Sequence, residues 1–174
     1  MSKKILKADF VFEYVIRDVN LLYWNKRIAA MKKGKKMERY KVILVDDEAE
    51  VIDMIEKKIH WNDLGFEVAG SATNGVKALE LVEKLQPDVV LTDIKMPYMD
   101  GLELSRRLNR EYPNIYIMLC TGFDEFEYAK EAVHLEIKEY MLKPVNATEL
   151  SESLTNLKHT LDREREEKLN VKKL

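Results

Sequence analysis

Five polar side chains each follow a short apolar run of the sequence, and the three carboxylates among them could hold a metal ion. Asp46 and Asp47 follow the first run, Asp93 the third, Thr121 the fourth and Lys143 the fifth. Clustered carboxylates repel one another, so a site that keeps them ionised needs a compensating cation. Oxygen ligands without histidine or cysteine favour a hard ion, and we therefore predict Mg²⁺.

The apolar runs predict the strands that position these side chains. The five runs comprise residues 42–45, 66–72, 89–91, 115–119 and 138–142. The first, third and fourth have no polar alternation, which is typical of parallel strands buried on both faces. Short apolar runs that alternate with longer amphipathic stretches indicate a parallel sheet covered by crossover helices.

The stretches between the runs predict five helices. Apolar residues recur at helical spacing from Val51, Val76, Leu104, Phe126 and Leu150. Asp100 and Glu103 predict a capping box at the start of the third helix. Five strands are too few for an eight-stranded barrel, so we predict an open, doubly wound α/β sheet. The functional site of such a sheet lies outside the carboxyl ends of its strands, where the five polar side chains would converge.

Composition limits the environment and the partners of the chain. Hydrophobic residues make up 46% and charged residues 34% of the 174 residues, and no apolar run approaches the ~18 residues that a membrane span needs. The single cysteine, Cys120, excludes an internal disulfide and suits the cytoplasm. Residues 38–150 hold 13 Lys and Arg against 23 Asp and Glu. Because this acidic balance repels nucleic-acid phosphates, we predict no DNA binding by this chain itself. The lack of a long apolar run predicts no membrane contact.

The segments around the polar side chains resemble the signature of response-regulator receiver domains of two-component systems. They are Ile43-Leu-Val-Asp-Asp-Glu48, residues 88–101, Thr121-Gly122 and Lys143-Pro144. The resemblance covers about residues 39–158. It implies a flavodoxin-like fold with the strand order 2-1-3-4-5.

The resemblance also implies how the acidic residues act. Asp93 would be the phosphoacceptor, which takes a phosphoryl group from a histidine of a sensor histidine kinase. Asp47, Asp93 and the backbone carbonyl of Lys95 would bind Mg²⁺ directly, and Asp46 would act partly through water.

The remaining site residues would bind the phosphate and switch the domain. Lys143 would pair with the phosphate, and Pro144 would make a cis peptide bond that aims the lysine inward. Thr121 would donate its hydroxyl to a phosphate oxygen, and Gly122 would leave the entrance open. Tyr140 would rotate as the Thr121 loop moves. The surface that changes would comprise the fourth predicted helix, the fifth strand and the fifth predicted helix.

A second class with similar chemistry is the Mg²⁺-dependent phosphohydrolase of the haloacid dehalogenase type. These enzymes also phosphorylate an aspartate after a strand, but they need a second acid two residues later as general acid and base. Position 95 is lysine. We therefore expect no enzyme activity beyond promotion of the chain's own phosphorylation and dephosphorylation.

Two further segments bear on the output of the domain. Residues 59–68 and 121–129 resemble receivers that precede AraC-type helix-turn-helix domains, which bind DNA as dimers. The chain ends at Leu174, short of the length that a second domain needs. We interpret it as a stand-alone receiver that acts by protein–protein contact, or as the amino-terminal part of a transcription regulator. DNA would then be reached only through an output domain, and a phosphorylation-dependent homodimer is a candidate assembly.

We predict an N-terminal extension (1–38), a receiver (39–160) and a charged helical extension or linker (161–174). Apolar residues from Phe10 to Trp24 allow an extra helix in the first part. The lysine-rich run before Met37 favours another interpretation, in which its codons are a ribosome-binding site and translation starts at Met37. The leucines at 150, 154, 157 and 161 suit either a packed helix or a coiled-coil seam.

Overall fold

The structure is a computed structural model that describes residues 38–122, 130, 132–135, 137 and 139–171. In these residues five strands form one parallel sheet: β1 (Tyr40–Val45), β2 (Phe66–Ala72), β3 (Val89–Asp93), β4 (Tyr116–Thr121) and β5 (Glu139–Leu142). They pair in the order β2-β1-β3-β4-β5. The predicted doubly wound α/β sheet and its strand order are confirmed.

Five helices lie wholly within the described residues: α1 (Ala49–Lys58), α2 (Trp61–Leu64), α3 (Gly75–Leu85), α4 (Gly101–Glu111) and α5 (Ala147–Val171). All except α2 correspond to predicted helices. Residues 130 and 132–134 of the helix predicted around Phe126 are helical, and Phe126 itself lies outside the described residues. Within this part of the chain, no helix combines the length and apolar composition that a membrane span needs.

Neighbouring residues of each central strand enter opposite cores, because side chains alternate along a strand. In β1, Val42 and Leu44 belong to the core that contains apolar residues of α1, α2 and α5. Ile43 and Val45 belong to the core on the other face, with residues of α3 and α4. The sheet is therefore covered on both faces, and its edges are where polar side chains can collect.

Two helices begin close to the carboxyl edge of the sheet. Asn74 caps α3 by accepting a hydrogen bond from the Lys77 amide at 3.0 Å. Asp100 caps α4 by accepting from the Glu103 amide at 2.7 Å, which is the Asp100 half of the predicted capping box. Both bonds satisfy donors that the first turn of a helix otherwise leaves without a partner.

The first four leucines of α5 pack into the core of their own domain. Leu150, Leu154 and Leu161 are buried, and Leu157 packs against the same core. This packing supports the packed-helix alternative over the coiled-coil seam. α5 continues without interruption across the predicted domain boundary at residue 160. The expectations for Phe10 to Trp24 and for Met37 lie outside the described residues.

Candidate functional site

Three carboxylates meet at the carboxyl edge of the sheet. Asp93 ends β3, and Asp46 and Asp47 follow β1, which is its neighbour in the sheet. One oxygen from each side chain lies within 4.8 Å of the other two. Asp46 and Asp93 are buried and Asp47 is exposed. The cluster is a set of oxygen ligands that opens toward solvent, which suits a hard cation such as Mg²⁺.

Backbone amides orient the two buried carboxylates. The amide of Ile94 donates a hydrogen bond to Asp93 Oδ1 at 2.8 Å, and the amide of Glu48 donates to Asp46 Oδ1 at 3.0 Å. These bonds fix one oxygen of each carboxylate. The second oxygen, Oδ2, is the one that each of them presents to a cation.

Lys143 supplies a positive charge to both of these oxygens. Its Nζ lies 2.7 Å from Asp46 Oδ2 and 3.1 Å from Asp93 Oδ2. The lysine follows β5, and its backbone amide donates to the carbonyl oxygen of Thr121 at 2.6 Å. The peptide bond between Lys143 and Pro144 is cis.

Burial and neighbouring charges shift the pKa values of this group. Burial raises the pKa of Asp93, and the hydrogen bond and charge of Lys143 offset the shift only in part. Burial alone would lower the pKa of Lys143, but its bonds to Asp46 and Asp93 outweigh burial and raise it. The lysine is therefore charged at neutral pH. A second cation near Asp93 would relieve the remaining cost of its negative charge.

An open cleft of about 350 Å³ borders the carboxylates. Asp47, Ile94, Lys95, Met96 and Asp100 line it. Lys95, whose backbone carbonyl is a predicted metal ligand, is exposed at this cleft. The cleft gives solvent and ligands access to the side of the cluster on which Asp47 lies.

The predicted switch residues lie on, or directly after, the two strands beyond β3. Thr121 ends β4 and is buried, with its hydroxyl 3.4 Å from the carbonyl oxygen of Gly122. A Cβ added to Gly122 would meet no atom within 4 Å, so the backbone is open there. Tyr140 of β5 pairs with Leu119 and packs, half-buried, against the core on the α3 and α4 face.

Gly101 is a residue of the site to which the sequence analysis gave no role. A Cβ at this position would lie 2.1 Å from the backbone oxygen of Asp93. Its amide donates to the carbonyl oxygen of Ile94 at 2.8 Å. Glycine therefore lets the start of α4 pack directly on the end of β3. The signal in the sequence is a glycine at the first position of a helix, where other residues have higher helix propensity.

Comparison with known proteins gives a family and several relatives. The family model described as response regulator receiver domain matches residues 42–155. The uncharacterized transcriptional regulatory protein YesN of Bacillus subtilis is 42% identical over 125 residues, which are 72% of this chain and 34% of YesN. The transcriptional regulatory protein HptR of Staphylococcus aureus is 34% identical over 122 residues, 70% of this chain and 48% of HptR. The chain thus spans about a third to a half of the length of these relatives.

Solved structures with the same fold include two from two-component response regulators. The REC domain of AraT, a response regulator from Geobacillus stearothermophilus, has 39% identity and a TM-score of 0.69, over 72% of this chain and 98% of that one. A two-component transcriptional regulator AraC from Clostridium phytofermentans has 30% identity and a TM-score of 0.67, also over 72% and 98%. Both agree with the expected likeness to receivers that precede AraC-type domains.

Proposed function

This chain belongs to the family of response regulator receiver domains, and we propose that Asp93 accepts a phosphoryl group from a histidine of a sensor histidine kinase. One observation carries the proposal. The carboxylates of Asp46, Asp47 and Asp93 and the ammonium group of Lys143 meet at one edge of the sheet. This is the set of charges that binding of a divalent cation and a phosphoryl group requires.

The proposed reaction is a nucleophilic displacement at phosphorus. The carboxylate of Asp93 forms a bond to phosphorus as the bond between phosphorus and the histidine nitrogen breaks, which leaves an aspartyl phosphate. Asp46, Asp47, Asp93 and the backbone carbonyl of Lys95 would hold Mg²⁺, whose charge offsets that of the phosphoryl oxygens.

After the transfer, the residues around Asp93 bind the new phosphate. Lys143 Nζ, 3.1 Å from Asp93 Oδ2, needs only a small movement to pair with a phosphate oxygen. Thr121 turns its hydroxyl from Gly122 toward another phosphate oxygen, and Tyr140 moves into the space that this leaves. A phosphoryl group adds roughly −1.5 to −2 charge, which is enough to reorganise such short contacts.

The decisive experiment measures phosphorylation directly. We expect the wild-type chain, incubated with acetyl phosphate and Mg²⁺, to gain the mass of one phosphoryl group, and Asp93→Asn to gain none. Asp63→Asn is the matched control, because Asp63 is exposed on α2, which precedes β2 and therefore lies toward the amino edge of the sheet, whereas Asp93 lies at the carboxyl edge. The proposal fails if the wild type gains no mass where a known receiver does, or if Asp93→Asn gains it equally.

We further propose that this switch controls transcription in the cytoplasm. YesN and HptR are both transcriptional regulatory proteins by name, and the chain matches only about a third and a half of their lengths. In this proposal residues 39–160 are the receiver, residues 161–174 are an extension, and DNA is contacted by a separate output domain. Sedimentation before and after treatment with acetyl phosphate tests the expected phosphorylation-dependent dimer. A monomer in both states would favour a stand-alone receiver.

A further inference from the structure

Helix α5 is longer than the sheet on which it packs. It has 25 residues and is therefore about 37 Å long at 1.5 Å per residue. It starts after the carboxyl end of β5 and runs back across strands of 4 to 7 residues, which extend roughly 13–23 Å. Its last buried leucine is Leu161. The ten residues from Asp162 to Val171 therefore extend beyond the apolar core.

Polar contacts at the amino edge of the sheet hold the first part of this extension. Tyr40, the first residue of β1, donates its hydroxyl to Asp162 Oδ1 at 2.8 Å. Tyr116, the first residue of β4, donates its hydroxyl to Glu164. The guanidinium of Arg165 lies 4.4 Å from the centre of the Tyr40 ring, within the range of a cation–π interaction. Two different strands thus contact three nearby positions of α5.

Lys158 joins these contacts from the buried side of the helix. It is only 6% exposed, and its Nζ lies 5.5 Å from the centre of the Tyr40 ring and, within the helix itself, 2.7 Å from Asp162 Oδ2. Its stem covers Gly65, where an added Cβ would lie 2.3 Å from Lys158 Cε. Gly65 ends α2 with a φ of +84°, a conformation that favours glycine. The turn after α2 therefore makes room for the lysine. This turn belongs to residues 59–68, which resemble receivers that precede AraC-type domains.

We propose that Tyr40, Gly65 and Tyr116 form a docking surface, the α5 seat, which Lys158 and residues 162–168 of the same chain occupy. The seat holds this part of the helix in one direction relative to the sheet. The leucines at 150, 154 and 161 are buried in the core of their own domain and are therefore not available to pair with a second copy. The seat lies at the opposite edge of the sheet from Asp93.

Physical arguments support docking of this segment over a free helix. The last turns of a helix fray easily where no tertiary contact holds them, and exposed ion pairs add little to their stability. Lys158 and the two tyrosine hydroxyls differ because they are partly or fully removed from water. Burial and the bond to Glu164 raise the pKa of Tyr116 to about 12. Lys168 Nζ, 3.4 Å from Asn114 Oδ1, continues the contacts by one more turn.

Hydrogen exchange of the full chain tests the seat. The double variant Tyr40→Phe/Tyr116→Phe keeps both rings and removes only the hydroxyls that bind α5. We expect amides of residues 164–170 to be protected in the wild type and to exchange at least about tenfold faster in the double variant, because local opening becomes easier. Amides of β1 and β4 should keep their rates. Tyr98→Phe is the matched control, since Tyr98 is exposed at the opposite edge of the sheet.

Two results would overturn the proposal. One is that the amide hydrogens of residues 164–170 in the wild type exchange as fast as those of a helix end that makes no tertiary contact. The other is an unchanged rate in the double variant. Phosphorylation by acetyl phosphate should be equal in wild type and double variant, so failure of the seat and failure of the proposed function give different results.

Discussion

The negative charge of Asp93 is unfavourable in the folded protein before any cation binds. Burial raises its pKa, the nearby charge of Asp46 adds to the shift, and Lys143 offsets it only in part. When the pKa of a carboxyl group is higher in the folded chain than in the unfolded chain, ionisation of that group lowers the free energy of unfolding. Its contribution to stability therefore falls as the pH rises from below the ordinary value of 3.8 through the raised value.

The unfavourable charge of Asp93 leads to a prediction for the stability of Asp93→Asn. In metal-free buffer at neutral pH we expect the variant to have a larger free energy of unfolding than the wild type, because it removes the charge and keeps the shape. The difference should shrink as the pH falls toward 3.8. Urea unfolding at several pH values measures it, with Asp63→Asn as control. Lower stability of Asp93→Asn at neutral pH would mean that the ion pair with Lys143 outweighs burial.

Gly101 gives a second prediction at the level of one side chain. Alanine normally stabilises a helix relative to glycine, but at this position its Cβ would lie 2.1 Å from the backbone oxygen of Asp93. We expect Gly101→Ala to lower the free energy of unfolding by about 1–3 kcal/mol, the usual cost of overpacking. Gly122→Ala is the control, because a Cβ there meets nothing within 4 Å. Equal effects in urea unfolding would contradict the steric explanation.

At the level of elements, the strands and their order were predictable because each strand is a separate apolar run. The helix starts were partly predictable. Asp100 caps α4 as expected, whereas the carboxylate of Glu103 pairs with Arg106 and Arg107. The single-turn helix α2 was missed, since four residues are too few to show a period and its Trp61 is buried by tertiary packing.

Contacts between distant parts of the chain were beyond the reach of sequence patterns. Tyr40 and Asp162 are 122 positions apart, and a charged run such as 162–168 has the same sequence pattern whether it is solvated or docked. The candidate site at the carboxyl edge was easier to predict as a group of neighbouring side chains, because parallel strands bring their ends together regardless of the separation along the chain. Its close backbone packing at Gly101 depends on distances that no spacing of residue types encodes.

The cap of α3 allows a test at the same scale. Asn74 is buried, and its Oδ1 accepts from the Lys77 amide at 3.0 Å. We expect Asn74→Ala to lower the free energy of unfolding by about 1 kcal/mol, the typical cost of losing an N-cap. Asn74→Asp should retain most of the stability, because aspartate caps helices equally well. Similar losses in urea unfolding of both variants would show that Asn74 acts by some contact other than its cap.

At the scale of the whole molecule, the length of the strands separates the proposed phosphorylation site from the proposed α5 seat. The carboxyl edge collects Asp46, Asp93 and Lys143, and the amino edge carries Tyr40 and Tyr116. About 20 Å of buried strand lies between them. Chemistry at one edge can therefore change without loss of the contacts that hold α5 at the other.

Metal binding should stabilise the whole fold, because an ion that binds only the folded state shifts the unfolding equilibrium. At a concentration 100 times its dissociation constant, the gain is about 2.7 kcal/mol. We expect Mg²⁺ to raise the melting temperature of the wild type, and Asp47→Asn to lose most of this increase. Asp47 is exposed, so its substitution should leave the metal-free melting temperature nearly unchanged and thereby separate binding from folding.

The control for this experiment is Glu50→Gln, which removes an exposed carboxylate from α1 close to the site in sequence. It should keep the full Mg²⁺ effect. Sodium chloride at matched ionic strength should give a much smaller increase, because screening reduces repulsion among all acidic groups without coordinating any of them. Equal increases for wild type, Asp47→Asn and Glu50→Gln would mean that Mg²⁺ acts on the overall acidic charge and not at the carboxylate cluster.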